Sequence, residues 1–271
     1  MIRAANREDH LVELRPFVDE ARQMQGWTFA YEPAPLGAPC PWNYETRAAE
    51  LARGAASVVD LGTGGGEVFE RILAGHHGQP VATEGWAPNV PVAARRLRPC
   101  GVSMVHTLNL ELPFAADSFE LVLDRHEELW PSEVARVLRP GGRVLTQQVH
   151  PDYYQELREF FPRMTVFEPH NITYPAGCEA AGLVVDQMQQ HSRQVAYRQL
   201  GHLVYFLVAA PWTIPDFDLD ADLEALLEVE RQLSGPEGIV LTDPRYLLEA
   251  HKPGKGVQLN APTQRKHADS A

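Results

Sequence analysis

Residues 58–67, Val-Val-Asp-Leu-Gly-Thr-Gly-Gly-Gly-Glu, constrain the fold of this chain more than any other stretch. Val58 and Val59 follow the small residues Ala55, Ala56 and Ser57 and read as the end of a buried strand that Asp60 closes. Gly62, Gly64, Gly65 and Gly66 then make a turn with almost no side chains. Beyond it Val68, Phe69, Ile72 and Leu73 recur at helical spacing, so a helix begins near Gly66. A strand, a glycine turn and a helix start together form a cradle for a polar ligand, because glycine adopts positive φ freely and lets backbone N–H groups approach closely. The dinucleotide fingerprint G-x-G-x-x-G would need its third glycine at position 67 or 69, and these hold Glu67 and Phe69.

Downstream segments extend the pattern. Residues 81–83 read as a second strand with Glu84 at its tip. That acid lies about twenty residues beyond the glycines, where a carboxylate can accept both hydroxyls of a ribose. A helix is expected over 91–97 and a third strand over 102–105. Asn109-Leu-Glu-Leu-Pro-Phe114 then precedes Asp117-Ser-Phe-Glu-Leu-Val-Leu-Asp124, whose end is a fourth strand. A helix over 132–138, the turn Arg139-Pro-Gly-Gly142 and a fifth strand over 144–149 follow.

In order and spacing, these four segments resemble class I S-adenosylmethionine (SAM) methyltransferases. The wording is similar to a group of bacterial methyltransferase-domain proteins at Pro-Trp-Asn-Tyr (41–44), Asp-Arg-His-Glu (124–127) and Thr-Gln-Gln-Val (146–149), and again over 200–217. The resemblance implies SAM as cofactor. Asp60, Gly62, Thr63, Gly64 and Gly66 would lie around it, with Glu84 on the ribose and Trp86 against the adenine. Asn109 and the backbone of Leu110 would meet the adenine amino group, although the family more often has an acid in place of Asn109. Asp124 would position the SAM amino group or its loop.

The remainder is expected to frame this core. An amphipathic helix over 9–24 is followed by Trp27, Phe29 and Tyr31, a proline-rich loop over 33–41, and a helix over 45–53. Trp42 and Tyr44 are candidate acceptor-binding residues, with ordinary packing as the alternative. Residues 182–185 open a sixth strand after a helix ending near Gly177; residues 200–209 form an apolar helix and 219–233 an acidic amphipathic one. Short strands are expected at 239–241 and 246–251. The expected architecture is α/β: a Rossmann-like, seven-stranded, mostly parallel sheet with an antiparallel last strand and helices on both faces. Its parts would be an N-terminal helical cap (1–45), a SAM-binding core (46–150), the rest of the sheet with a helical lid at about 200–233 (151–252), and a disordered tail (253–271).

Lys+Arg 24 against Asp+Glu 36 gives a net charge of -12, which repels polyphosphate and counts against a nucleic-acid partner. Three cysteines far apart, Cys40, Cys100 and Cys178, suggest no zinc site or disulfide framework, and the doublet His76-His77 lacks the spacing of a helical metal pair. No apolar run is long enough for a membrane span, so a cytoplasmic protein is expected. The candidate general bases are His126, beyond the fourth strand, and His150, at the end of the fifth. The expected function is methyl transfer to an O or N of a small-molecule acceptor. An RNA or protein acceptor, and a SAM-binding sensor without catalysis, remain as alternatives.

Overall fold

The structure, a computed structural model, describes residues 6–254. The expected tail lies outside these residues except for Pro253 and Gly254. Helix α1 (Arg7–Arg22) starts at a capping box in which Asn6 Oδ1 accepts the Asp9 N–H and Asp9 Oδ2 accepts the Asn6 N–H. The proline-rich segment carries a three-residue strand, β1 (Ala34–Leu36), and α2 (Tyr44–Arg53) begins behind the Asn43 cap. There follow β2 (Ser57–Leu61), α3 (Glu67–Ile72), β3 (Gln79–Glu84), α4 (Val90–Leu97) and β4 (Ser103–His106). Next come β5 (Phe119–Arg125), α5 (Pro131–Val137), β6 (Leu138–Val149) and α6 (His170–Ala180). The last described elements are β7 (Val184–Tyr197), α7 (Leu200–Ala209), α8 (Leu219–Leu233), β8 (Ser234–Gly235) and β9 (Gly238–His251).

All strands join one nine-stranded sheet of order β1-β7-β9-β6-β5-β2-β3-β4, with β8 on β9. Strands β2 to β6 pair in parallel, and β9 runs antiparallel to both β6 and β7. The β2 run is buried throughout, as a parallel strand covered on both faces must be. Strand order reverses between β2 and β5, and in open α/β sheets ligands bind in the crevice outside the strand ends at that point. The expected seven strands are all present. The two additional ones are β1, an edge strand against Ala196, Val195 and Gln194 of β7, and the stub β8.

Three local expectations are corrected. The two short strands at 239–241 and 246–251 are one strand, β9. Pro244 does not break it, because its carbonyl accepts the His150 N–H just past the end of β6. Its nitrogen faces the same side, where no ladder remains to be interrupted. The Arg-Pro-Gly-Gly turn is instead an irregular start to β6. There the register against β5 shifts between Phe119 and Leu121, and Gly141 takes φ 84. The helix expected to end near Gly177 runs on to Ala180.

Strand β9 pairs with β6 only from Arg245 to His251 but with β7 along nearly its whole length. Its first half and the second half of β7 therefore project past the ends of the parallel strands as a separate ribbon. Leu11, Leu14 and Val18 of α1 pack there with Leu203 and Leu207 of α7 and Leu223 and Leu226 of α8. The α1–α7 approach is close enough that a Cβ on Gly201 would lie 2.2 Å from the Phe17 ring. Two further apolar clusters fill the opposite faces of the sheet.

Candidate active site

The glycine turn between β2 and α3 is built as its sequence demands. Gly62, Gly64 and Gly66 take φ of 60, 64 and 81, values open to glycine without the Cβ penalty. The Gly62 N–H donates to Thr83 Oγ1 and the Thr63 N–H to the Thr83 carbonyl, at 3.2 and 2.8 Å, which ties the turn to β3. Glu84 then closes it. Its Oε2 accepts the Gly64 N–H at 2.6 Å and its Oε1 the Trp86 N–H at 2.7 Å. Burial raises the Glu84 pKa, these N–H donors oppose the rise, and nearby Glu127 adds to it.

Two side chains that periodicity did not single out cover the cradle. A Cβ on Gly64 would fall 1.9 Å from Trp27 Cδ1, and one on Gly62 would fall 2.4 Å from Glu127 Cγ. The Trp27 ring stacks on Phe29 and meets Trp212 edge-on, with centroids 5.9 and 5.3 Å away. The Trp27 N–H reaches Glu67 Oε1 at 3.4 Å, and Arg96 Nε donates to the Gly65 carbonyl at 3.0 Å. Trp27 was legible as part of the Trp27, Phe29, Tyr31 run; its partner Trp212, from the break after α7, was not.

Beside the Glu84 tip the surface is apolar. Trp86 is 64 % exposed, Leu108 71 % and Leu110 52 %, and Leu108 lies against Gly85. Asn109 is turned inward: its Oδ1 accepts the Thr83 hydroxyl and its Nδ2 donates to the Glu128 carbonyl, at 3.3 and 3.4 Å. Its amide therefore braces the loop that presents Leu108 and Leu110.

At the switch point, Asp60 and Asp124 sit at the ends of adjacent strands with the buried Tyr44 hydroxyl near both. Burial pushes the Asp60 carboxyl up to about 7, against the Thr63 hydroxyl and Arg125 and with Glu84. Asp124 is fully buried and its pKa lies well above the carboxylate range for the same first reason. Its Oδ1 accepts from Thr146 Oγ1 and Gln148 Nε2, and its Oδ2 has no partner among the described residues.

The two candidate histidines do not converge. His126 follows β5 in a left-handed conformation at φ 66. Gln147 accepts the Trp42 Nε1–H at Oε1, 2.8 Å away, so its amide N–H₂ faces His126 Nε2 at 3.2 Å. That nitrogen is the acceptor and the proton lies on Nδ1. Desolvation of the ring, then Arg245 and Arg125, lowers the His126 pKa below the ordinary imidazole value although the residue keeps exposed surface, and the ring is neutral at pH 7. His150 is held elsewhere, by the Asp152 N–H at Nδ1 and by Asn171 of α6 at Nε2. It lines a cleft of about 380 Å³ with Asp152, Gln190, His191, Thr242 and Arg245, the last of which also bears on His126. Trp42 thus joins His126 through Gln147, while Tyr44 joins the two aspartates beneath. No group of His, Cys, Asp and Glu among the described residues could hold a metal ion, and no described helix is long and apolar enough to cross a membrane.

Residues 59–146 match the family described as a methyltransferase domain. No curated protein matches the sequence. Among solved structures, a Bacillus halodurans C-125 protein provisionally named a methyltransferase is 17% identical, aligns over 77% of this chain and 98% of its own, and has a TM-score of 0.57. The YcgJ protein of Bacillus subtilis is 18% identical over 78% of this chain and 98% of its own, with a TM-score of 0.59. The (4+2)-cyclase SpnF is 17% identical over 90% and 94%, with a TM-score of 0.56. Residues 59–146, from β2 to β6, thus match a methyltransferase-domain family, and the fold around them is shared with these solved structures.

Proposed function

We propose that the chain transfers a methyl group from SAM to an oxygen or nitrogen of a small-molecule acceptor. The observation that carries this reading is Glu84, a buried carboxylate fixed by the Gly64 and Trp86 N–H groups beside three left-handed glycines. A nucleoside with an amino-acid end fits that donor set. Glu84 would hold the ribose hydroxyls, and Gly62, Thr63, Gly64, Gly66 and Asp60 the amino-acid end. Trp86 and the backbone of Leu110 would meet the adenine, on the loop that Asn109 braces from within, with the free Asp124 Oδ2 behind. The cofactor supplies a methyl carbon already activated by its sulfonium. The protein's share is alignment and exclusion of water, effects that reach about 7–11 kcal/mol. Trp27, Phe29 and Trp212 supply the apolar cover, and Trp42 and Tyr44 are the proposed acceptor-side aromatics. His126, neutral and accepting at Nε2, is the better placed base; His150 lines the adjoining cleft that Arg245 shares.

A second reading, SAM binding without turnover, is favoured by Trp27 and Glu127 lying over the glycines. The fold likewise does not dictate the reaction, since SpnF shares it and is named a cyclase. Calorimetry with SAM and its demethylated product, followed by a labelled-SAM screen of small-molecule acceptors, separates the cases. Binding with label transfer is expected. Binding with no transfer to any acceptor favours the second reading, and no heat at millimolar cofactor refutes both.

A further inference from the structure

Three strands bring an arginine-rich wall to one side of the crevice. Arg125 ends β5; Arg245 of β9 lies opposite Val149 of β6 and His191 of β7; Arg193 lies opposite Asp243. Asp243 is 2% exposed and serves two guanidiniums at once. Arg193 donates Nε and Nη2 to its Oδ2 at 3.2 and 3.1 Å, and Arg245 Nη2 lies 2.6 Å from its Oδ1. Arg125, half-buried, makes no hydrogen bond or ion pair with any described residue. Arg125 and Arg245 bear electrostatically on each other and together on His126.

The negative groups nearby do not balance this wall. Glu45 is already bidentate on Arg71. Burial raises the Asp60 carboxyl to about 7, and Asp124, raised for the same reason, turns its Oδ1 to Thr146 and Gln148. Arg47, Arg136 and Arg143, by contrast, each have a carboxylate partner. An unbalanced cationic wall in a chain of net charge -12 is therefore a local arrangement and not a result of composition. Apolar surface adjoins it. The Arg245 guanidinium lies 5.0 Å over the Tyr153 ring, and Trp42 meets His191 edge-on at 6.3 Å. His191 Nε2 is buried with no partner among the described residues.

We propose that the methyl acceptor is a small-molecule carboxylic acid, its carboxylate held by Arg125 and Arg245 and its body against Trp42 and Tyr153. This inference rests on the methyltransferase reading above. Guanidinium forks match a carboxylate in two parallel hydrogen bonds, which an ammonium cannot do. The position sets the acid's body beside His126 and Gln147, the side of the crevice where the candidate base lies.

The test uses the full chain saturated with demethylated cofactor and a panel of aromatic and aliphatic carboxylic acids, each paired with its own carboxamide. Saturation is checked first by calorimetry. Failure to bind cofactor at that stage sinks the methyltransferase reading and is distinct from failure of this inference. With cofactor bound, at least one acid is expected to bind about tenfold or more tighter than its amide, the scale of hydrogen bonds to a charged group. Arg125→Gln should erase that preference with cofactor affinity retained, and Arg125→Lys should keep part of it. A panel in which no acid outbinds its amide overturns the proposal, as does an acid preference that survives Arg125→Gln. The Arg125 side chain makes no hydrogen bond or ion pair with any described residue, so its replacement leaves the Asp243 network intact; a cofactor titration on each variant verifies folding.

Discussion

Replacing Asp60 by Asn should make this protein more stable above neutral pH, and by an amount that depends on pH in a defined direction. Asp60 is 7% exposed, and its carboxyl is raised from 3.8 to about 7, chiefly by burial. Between those two values the folded state keeps a proton that the unfolded chain has released. Stability from this group therefore falls as pH rises through that window, and is fully lost above it. The displacement corresponds to about 4 kcal/mol, a large share of the roughly 5–15 kcal/mol by which domains are stable. Asn carries no proton to lose. Below about pH 4 the two proteins should unfold alike, and by pH 8 the variant should lead by up to about 4 kcal/mol. Urea unfolding of both proteins at several pH values measures that gap. His126 and His170, the latter held at about 4 by burial, act with the opposite sign, since each is neutral in the fold while the unfolded chain is still charged. They are common to both proteins and cancel in the difference. A gap that is flat with pH, or that favours Asp60 at pH 8, would refute the reasoning. The same variant should bind cofactor more weakly, because the carboxylate is available only at the cost that Asn avoids.

Two further outcomes follow from the site. Gly64→Ala combines φ 64 with a Cβ 1.9 Å from Trp27, and should lose about 1–2 kcal/mol to backbone strain and about 1–3 kcal/mol to overpacking; adding Trp27→Ala should restore only the second part, and additive losses in a double-mutant cycle would contradict the close approach. His126→Ala should slow turnover by about 10²–10⁴-fold if the acceptor must lose a proton with cofactor affinity unchanged, and an unaltered rate on the true acceptor removes His126 from the chemistry.

Local chemistry made much of the core readable in the sequence. The β-branched run at Val58, the three alternating glycines and Glu84 each owe their placement to neighbours a few residues away or to the next βα unit. Helices α1, α2, α7 and α8 were readable from their apolar spacing. What the sequence hid depends on contacts between distant segments. Trp27 reads as one aromatic in a loop until it is set against Gly64 and Trp212. Gln147 is one polar residue of a strand until its amide is seen between Trp42 and His126, and His150 resembles His126 until Asn171 and the Asp152 N–H are found holding its ring. Asn109 kept its expected position while its side chain faced inward, because Thr83 and Glu128 offered partners that no spacing rule shows. Pro244 misled by a general rule: proline ends strands only where the missing donor would have been used.

Strand β9 enters the sheet between β6 and β7, although both precede it in the chain. Its pairing partners are up to about a hundred residues upstream, and contacts of that separation are slow to form. During synthesis the parallel half can assemble early, but β6 and β7 each present an open edge until residues 238–251 arrive to join them. The ribbon beneath α1, α7 and α8 is the other half of the same insertion. The ribbon under these helices and the final closure of the sheet are therefore completed by the same late strand, and a nascent chain lacking it would have neither.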